Sequence, residues 1–243
     1  MNLVIDLGNT FAKTALFQGD KILEVFKIPR MDFSRKIEKI LSNYPEIKKA
    51  VVCSVLRDTE PIKKKLKNYP ILDVSENPKL PFCNKYSTPE SLGNDRIALA
   101  AAAAHQYPNQ NCLVIDAGTC ITYDLLNQNK EYLGGGISPG LRLRFDSVHK
   151  FTEKLPLITV DNNHLKLVGT STEESLRSGI QLGFVAEIDG MISNYKSEFK
   201  DLTVILTGGD NQFLSKRLKN SIFANSNFLL EGLNHILEYN KFQ

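Results

Sequence analysis

Residues 3–10 read Leu3-Val4-Ile5-Asp6-Leu7-Gly8-Asn9-Thr10, and residues 113–119 read Leu113-Val114-Ile115-Asp116-Ala117-Gly118-Thr119. Each is a short apolar run, the mark of a buried strand, ended by an aspartate and a glycine turn that closes on threonine. A strand ending in Asp-x-Gly sets a carboxylate beside bare backbone N–H groups, which suits a cation and a phosphate held together. One such turn is as readily a hairpin that uses Gly and Asn for geometry. Two of them, 110 residues apart in a chain of 243, point to a duplicated fold with a nucleotide clamped between its halves.

The surrounding pattern repeats as well. Residues 2–7 and 12–17 read as a hairpin around Gly8-Asn9-Thr10, and 21–28 as a third strand after Gly19-Asp20. Phe33, Ile37, Ile40 and Leu41 have helical spacing, Ala50–Val55 is a short buried strand, and Ile62–Lys67 a short basic helix. Residues 75–92, rich in Pro, Ser and Asn, read as a long loop, and loops of that length in a compact domain are often functional. Asp95–His105 is an alanine-rich helix. The polar connector 106–111 is the best domain boundary, dividing the chain into halves 1–107 and 108–243.

The second half restarts with strands 112–116 and 120–126, is interrupted by Gly134-Gly135-Gly136, and turns at Pro139-Gly140 into a helix over Leu141–His149. From 173 to 199, Leu176, Ile180, Phe184, Ile188, Ile192, Tyr195 and Phe199 form one apolar stripe of a single long helix, with Ser171 and Glu174 as its capping box. A strand at Thr203–Leu206 and a helix near 228–239 follow. This order fits an α/β chain made of two ribonuclease-H-like domains, mixed sheets flanked by helices.

Composition narrows the function. The chain is 42% hydrophobic and 23% charged, with a net charge of +3, which gives no reason to propose nucleic acid as a partner. No apolar run reaches the length of a membrane span, and no signal-peptide layout opens the chain, so a cytoplasmic location is expected. Cys53, Cys83, Cys112 and Cys120 lack metal spacing and read as reduced structural thiols, and the scattered His105, His149, His164 and His235 disfavour a zinc site.

Six stretches carry the candidate chemistry. Asp6 to Lys13 offers glycine for close approach to an anion and a lysine near phosphates, although strand alternation equally allows Lys13 to point outward. Asp116 to Thr119 repeats it. Gly93-Asn94-Asp95-Arg96 places a carboxylate beside a guanidinium able to fork onto another carboxylate, and Asp95 is as readily a plain helix cap. Gly134 to Gly140 allows backbone to approach a ligand or a second subunit. In Gly169-Thr170-Ser171-Thr172, the Thr172 hydroxyl either caps the helix or bonds substrate. Gly208-Gly209 is a strand-to-helix turn or an adenine contact.

Taken in order, Asp6-x-Gly-Asn-Thr10, Gly93-x-Asp-Arg96, Asp116-x-Gly-Thr119, Gly134-Gly-x-Ile-x-Pro-Gly140 and Gly169-Thr-x-Thr172 resemble the motifs of the type III pantothenate kinases, across essentially the whole chain. The resemblance implies an actin-like fold of the acetate-and-sugar-kinase superfamily. It implies ATP- and Mg2+-dependent phosphorylation of pantothenate, the first step of coenzyme A synthesis, by a homodimer with its substrate site near the subunit interface. It also implies residue roles. Asp6, Leu7, Gly8, Asn9, Thr10, Phe11, Ala12 and Lys13 bind ATP together with Thr119, and Asp116 holds potassium or ammonium. Asp95 is the proton acceptor, and Tyr86, Gly93, Asn94, Asp95, Arg96 and Thr172 contact pantothenate. The competing readings are a kinase of the same fold acting on a sugar or small acid, and a nucleotide-binding regulator without catalysis.

Overall fold

The computed structural model describes residues 1–8, 10–54, 59–161 and 165–240. The chain forms two compact units. The first holds Met1–Pro108, Lys130–Tyr132 and the stretch from Asn227 on; the second holds Asn109–Asn129 and Leu133–Ser226.

In the first unit, β1 (Asn2–Leu7), β2 (Phe11–Gln18) and β3 (Lys21–Pro29) form an antiparallel meander. Helix α1 (Phe33–Asn43), strand β4 (Lys49–Ser54), helix α2 (Glu60–Lys65), strands β5 (Ile71–Asp73) and β6 (Cys83–Asn84), and helix α3 (Asn94–Gln106) follow. The sheet order is β3-β2-β1-β4-β5, with β1, β4 and β5 parallel. Central β1 buries Leu3, Val4 and Ile5 completely, as a strand covered on both faces must. Helix α1 turns Phe33, Ile37 and Ile40 inward and its lysines outward.

The second unit repeats this plan with β7 (Cys112–Ala117), β8 (Cys120–Leu126), β9 (Glu131–Pro139), α4 (Leu141–Lys150), α5 (Thr172–Arg177), α6 (Gly183–Glu198), β10 (Thr203–Thr207), α7 (Asn211–Ser215) and β11 (Phe223–Ala224). Its strands run β11-β10-β7-β8-β9. Strand for strand, β9-β8-β7-β10-β11 matches β3-β2-β1-β4-β5, so the duplication read from two short phrases extends to the whole sheet topology. A last helix, α8 (Phe228–Tyr239), closes the chain. No helix among the described residues is long and apolar enough to cross a membrane.

Several elements differ from the sequence reading. Gly134, Gly135 and Gly136 lie inside β9 rather than interrupting it: the strand passes so near β8 that a Cβ on Gly135 would fall 1.7 Å from the Tyr123 carbonyl oxygen. The loop at 75–92 is pinned by β6, whose Cys83 and Asn84 pair in parallel with Glu131 and Tyr132. In the short basic helix, Lys63 Nζ lies 2.9 Å from the buried Asp73 carboxylate and 2.6 Å from Glu76.

The long helix is split by a π turn at Ser178–Leu182 between α5 and α6. Its apolar residues recur every fourth position from Leu176 to Ile192. A 3.6-residue helix would rotate such a stripe by roughly 160° over that distance, and one π turn takes back most of the drift.

Helix α8 belongs with the first unit, although the division at 107/108 places it in the second half of the sequence. The helix buries Phe228, Leu230, Leu233, Ile236 and Leu237, and a Cβ on Gly232 would fall 1.9 Å from the Ala98 carbonyl oxygen of α3; a buried polar tie adds to this. Asn234 of α8 donates to the Gly19 carbonyl (2.9 Å) and accepts from Asn2 Nδ2 (2.8 Å), while the Ala98–Ala104 run of α3 is buried in the same unit. The next residue of α8, His235, stacks on His105 in the last turn of α3, with ring centroids 4.0 Å apart.

Candidate functional site

Asp6 stands at the end of β1, directly across the antiparallel ladder from Lys13 of β2. The pairing answers the question left by strand alternation: residues opposite each other in a ladder project to the same face. The Asp6 carboxyl is pushed up from the ordinary 3.8 to about 6 by burial, against the opposing pull of Lys13 and with the help of a second negative charge, Asp95. The Cys53 thiol, opposite Asp6 on β4, is raised well above its usual range by burial and by the same carboxylates. Two carboxylates 89 positions apart in sequence thus share one electrostatic environment.

The intervening turn closes through Gly8 N–H to the Phe11 carbonyl (3.0 Å), and the Thr10 carbonyl accepts from Arg30 N–H (3.1 Å). Thr10 and Phe11 are exposed. Leu7 and Ala12 are core residues, so only their backbone can face a ligand. Asn9 lies outside the described residues, as do Val55 and His164.

Asp95 sits in the first turn of α3, whose N-cap is Gly93 with no side-chain cap. Its Oδ1 accepts from Arg96 N–H (2.8 Å), taking up one of the donors left open at a helix start. Arg96 is only 5% exposed. Its guanidinium carbon lies 5.6 Å from the Tyr86 ring centroid and 5.9 Å from that of Tyr132. Those rings lie 6.2 Å apart, and Phe82 packs on Tyr132 from 6.1 Å. The cation is held by aromatic faces, which orient it while leaving its edge N–H groups directional. Tyr86, Gly93, Asn94, Asp95 and Arg96 are therefore brought together, with Asp6 and Lys13 in the same unit. Tyr132 escaped the sequence reading because nothing local marks it; β6 pairing is what carries it under Arg96.

In the second unit, Asp116 ends β7 with Thr122 opposite on β8 and Thr207 beside it on β10. The turn closes through Gly118 N–H to the Cys120 carbonyl (3.0 Å) and leaves Thr119 exposed. Two other glycine turns press on it. A Cβ at Gly140 would lie 2.0 Å from the Gly118 carbonyl oxygen, and one at Gly208, whose φ is +93°, would lie 2.4 Å from both Asp116 Oδ1 and the Ala117 oxygen. Gly140 N–H bonds to the Thr119 carbonyl and Asp210 N–H to the Ala117 carbonyl, each at 3.0 Å. Gly208 is thus part of the wall around Asp116.

Thr172 begins α5, but the cap is Ser171, whose Oγ accepts from Glu174 N–H (3.2 Å). The Glu174 carboxylate reaches back one residue further than the usual capping box, to Thr170 N–H (2.8 Å) and Oγ1 (2.6 Å). Thr172 is exposed, and its hydroxyl has no hydrogen bond among the described residues.

Duplicated topology with an Asp-x-Gly turn at each central strand defines the class, the actin-like fold of the acetate-and-sugar-kinase superfamily. The chain superposes on a ROK hexokinase from Thermus thermophilus with a TM-score of 0.53 at 15% identity, covering 98% of this chain and 99% of that one. A conserved Baf family protein from Campylobacter jejuni gives a TM-score of 0.66 at 22% identity, covering 98% of each chain. Sequence comparison is more specific. Residues 2–194 match the model of the type III pantothenate kinase family. A type III pantothenate kinase from Christiangramia forsetii is 54% identical over 244 aligned positions, covering 100% of both chains. The chain belongs to the type III pantothenate kinase family.

Proposed function

We infer that this enzyme transfers the γ-phosphoryl group of ATP to pantothenate, giving 4′-phosphopantothenate in the first step of coenzyme A biosynthesis. Full-length membership of the family carries the choice of acceptor. The placement of Asp6, Asp95 and Arg96 supports a mechanism. Asp95 Oδ1 is occupied by Arg96 N–H, and Oδ2 has no hydrogen bond among the described residues, so Oδ2 is the atom offered to the primary hydroxyl of pantothenate. As the hydroxyl oxygen bonds to γ-phosphorus, the bond from γ-phosphorus to the β,γ-bridging oxygen breaks, ADP departs, and the proton passes to Asp95. Phosphoryl transfer of this kind depends chiefly on positioning, which a carboxylate fixed at a helix start provides. Arg96, steadied between Tyr86 and Tyr132, takes the pantothenate carboxylate.

The turn from Asp6 to Lys13 takes the ATP phosphates, with Lys13 as a point charge and Gly8 allowing close approach; Thr119 also contacts ATP. Asp6 fits a divalent cation through water: a carboxylate raised by burial and by a second carboxylate gains from positive charge. Asp116 fits potassium or ammonium. Its carboxylate would supply a hard oxygen ligand to such a cation. Mg2+ supplies neutralisation of charge on the phosphate oxygens. Thr172 contacts pantothenate, and the enzyme acts as a cytoplasmic homodimer. Retention of Asp6, Asp95 and Asp116 together argues against a regulator that has lost catalysis.

The test is ATP consumption by the purified protein with pantothenate, run in parallel with potassium and with sodium. Pantothenate-dependent turnover that needs potassium is the expected result. Turnover in both salts removes the Asp116 assignment and keeps the kinase. No turnover in either, with ATP still bound, removes pantothenate as acceptor.

A further inference from the structure

The row begun by Asp6 and Lys13 continues onto a third strand. Lys13 of β2 stands opposite Asp6 of β1 on one side and opposite Lys27 of β3 on the other. Residues directly opposite in an antiparallel ladder project to one face, with Cβ atoms roughly 5 Å apart, so the three side chains line one face of three adjacent strands. The next pair, Ala12 and Ile28, points to the opposite face and joins the core under α1. The register shift in the β2–β3 pairing lies at Leu16 and Phe17, away from this row. Phe11 shares the face of Lys13 and is 40% exposed, and Lys27 Nζ lies 4.5 Å from its ring centroid. That contact leans the lysine towards the Gly8–Phe11 turn. The bond from Arg30 N–H to the Thr10 carbonyl fastens the end of β3 to the same turn. Lys27 forms no ion pair among the described residues, so no carboxylate holds its ammonium. An ammonium seated against a ring is steadied on one side and keeps N–H donors for an anion on the other.

We propose that Lys27 is a further phosphate-binding residue: steadied by Phe11, its ammonium meets the phosphate chain of ATP alongside Lys13. The proposal rests on the reading that the Asp6–Lys13 turn takes the ATP phosphates. A triphosphate carries several negative charges, while Lys13 already acts on the Asp6 carboxyl. Asp6 and Asp95 share one field at one end of the row, so the reacting γ-phosphoryl group belongs there. Lys27, two strands away, serves the phosphates that leave with ADP. Such a contact binds substrate and transition state alike, so it lowers the KM for ATP and leaves kcat as it is. A lysine that merely covers an exposed ring with its stem would do neither.

The experiment is steady-state kinetics of the full-length enzyme carrying Lys27→Met, Lys27→Arg or Lys13→Met. Lys27 is exposed on an edge strand, so Lys27→Met should fold as wild type does. It keeps an apolar stem over Phe11 and removes the charge. The KM for ATP is expected to rise about fivefold, with kcat and the KM for pantothenate held within about twofold. Lys27→Arg keeps both stem and charge and is expected to recover most of that loss. Raising potassium chloride to about 1 M should narrow the gap between Lys27→Met and wild type, because an exposed charge contact is screened. Competition by adenosine, which has no phosphate, should be equal in the two. An unchanged KM for ATP in Lys27→Met, a rise that Lys27→Arg does not reverse, or an equal weakening of adenosine overturns the proposal, while a raised KM for ATP in Lys13→Met leaves the reading of the turn intact. An unchanged KM for ATP in Lys13→Met removes that reading, and the role of Lys27 with it.

Discussion

Asp6 and Asp116 occupy the same place in two copies of one sheet, but they are held by different physics. Asp6 faces a lysine across its ladder and feels a second carboxylate, Asp95. Asp116 faces Thr122 across its ladder and is walled by the backbone of two further glycine turns. The first turn spans Gly8 to Phe11, and the second, one residue shorter, spans Gly118 to Cys120. Duplication preserved the strand, the carboxylate and the glycine, while the neighbours diverged. In the first copy Lys13 and Asp95 both act on the buried Asp6 carboxyl. The second is a carboxylate walled by closely packed backbone.

That contrast is open to attack at several points. The largest effect is expected from Asp95→Asn, which removes the carboxylate peculiar to the first copy: kcat should fall by about 10²–10⁴-fold with the fold intact by circular dichroism. Near-normal turnover would leave the first site without its acceptor and erase the distinction in chemistry. Next comes Gly208→Ala, which meets the Ala117 and Asp116 oxygens and a positive φ; a loss of about 2–4 kcal/mol is expected in denaturant unfolding. Gly8→Ala meets only its own turn's Phe11 oxygen, at 3.0 Å, and should cost about 1 kcal/mol. Equal costs would mean that the second loop is no more tightly walled than the first.

Exchanging the carboxylates for amides sharpens the electrostatic half of the comparison. Asp6→Asn should lower kcat/KM for ATP on the order of 10²-fold. Asp116→Asn should instead abolish the difference between potassium and sodium. The smallest effect is on stability against pH. Because burial raises the Asp6 pKa from 3.8 to about 6, the folded protein binds that proton more tightly than the unfolded chain does. Its contribution to stability therefore declines as pH rises from about 4 to about 6 and stays at its minimum above. Asp6→Asn lacks this titration, so its melting temperature should exceed that of wild type at pH 7, with the gap closing towards pH 4. A gap that does not vary with pH would show that Asp6 is not raised by its surroundings.

Much of this was legible in the chain. The apolar phrases ending in Asp6 and Asp116 announce themselves because a central strand must be apolar on both faces and because only a turn follows Asp-x-Gly so readily. The alanine run of α3 and the spacing of Phe33, Ile37 and Ile40 are similarly local. The π turn was half visible. A stripe repeating every fourth residue carries the drift that an extra residue corrects, but the helical reading absorbed it as ordinary amphipathicity. The glycines at 134–136 misled, since the same residue that breaks a strand in isolation admits a neighbouring strand in a crowded sheet.

The sequence by itself determined the duplication, the carboxylates at the strand ends and the family of the chain, because each of these is written in contiguous residues whose side-chain pattern and backbone needs are local. Only the tertiary structure decided which charges meet. It set Lys13 across from Asp6, brought Asp95 into the same field, slid Tyr132 under Arg96, drew α8 and its Asn234 into the first unit, and laid Lys27 against Phe11. Those choices depend on strand pairing, helix packing and burial between residues from seven to 232 positions apart, where a field or a hydrogen bond exists only once the chain has folded.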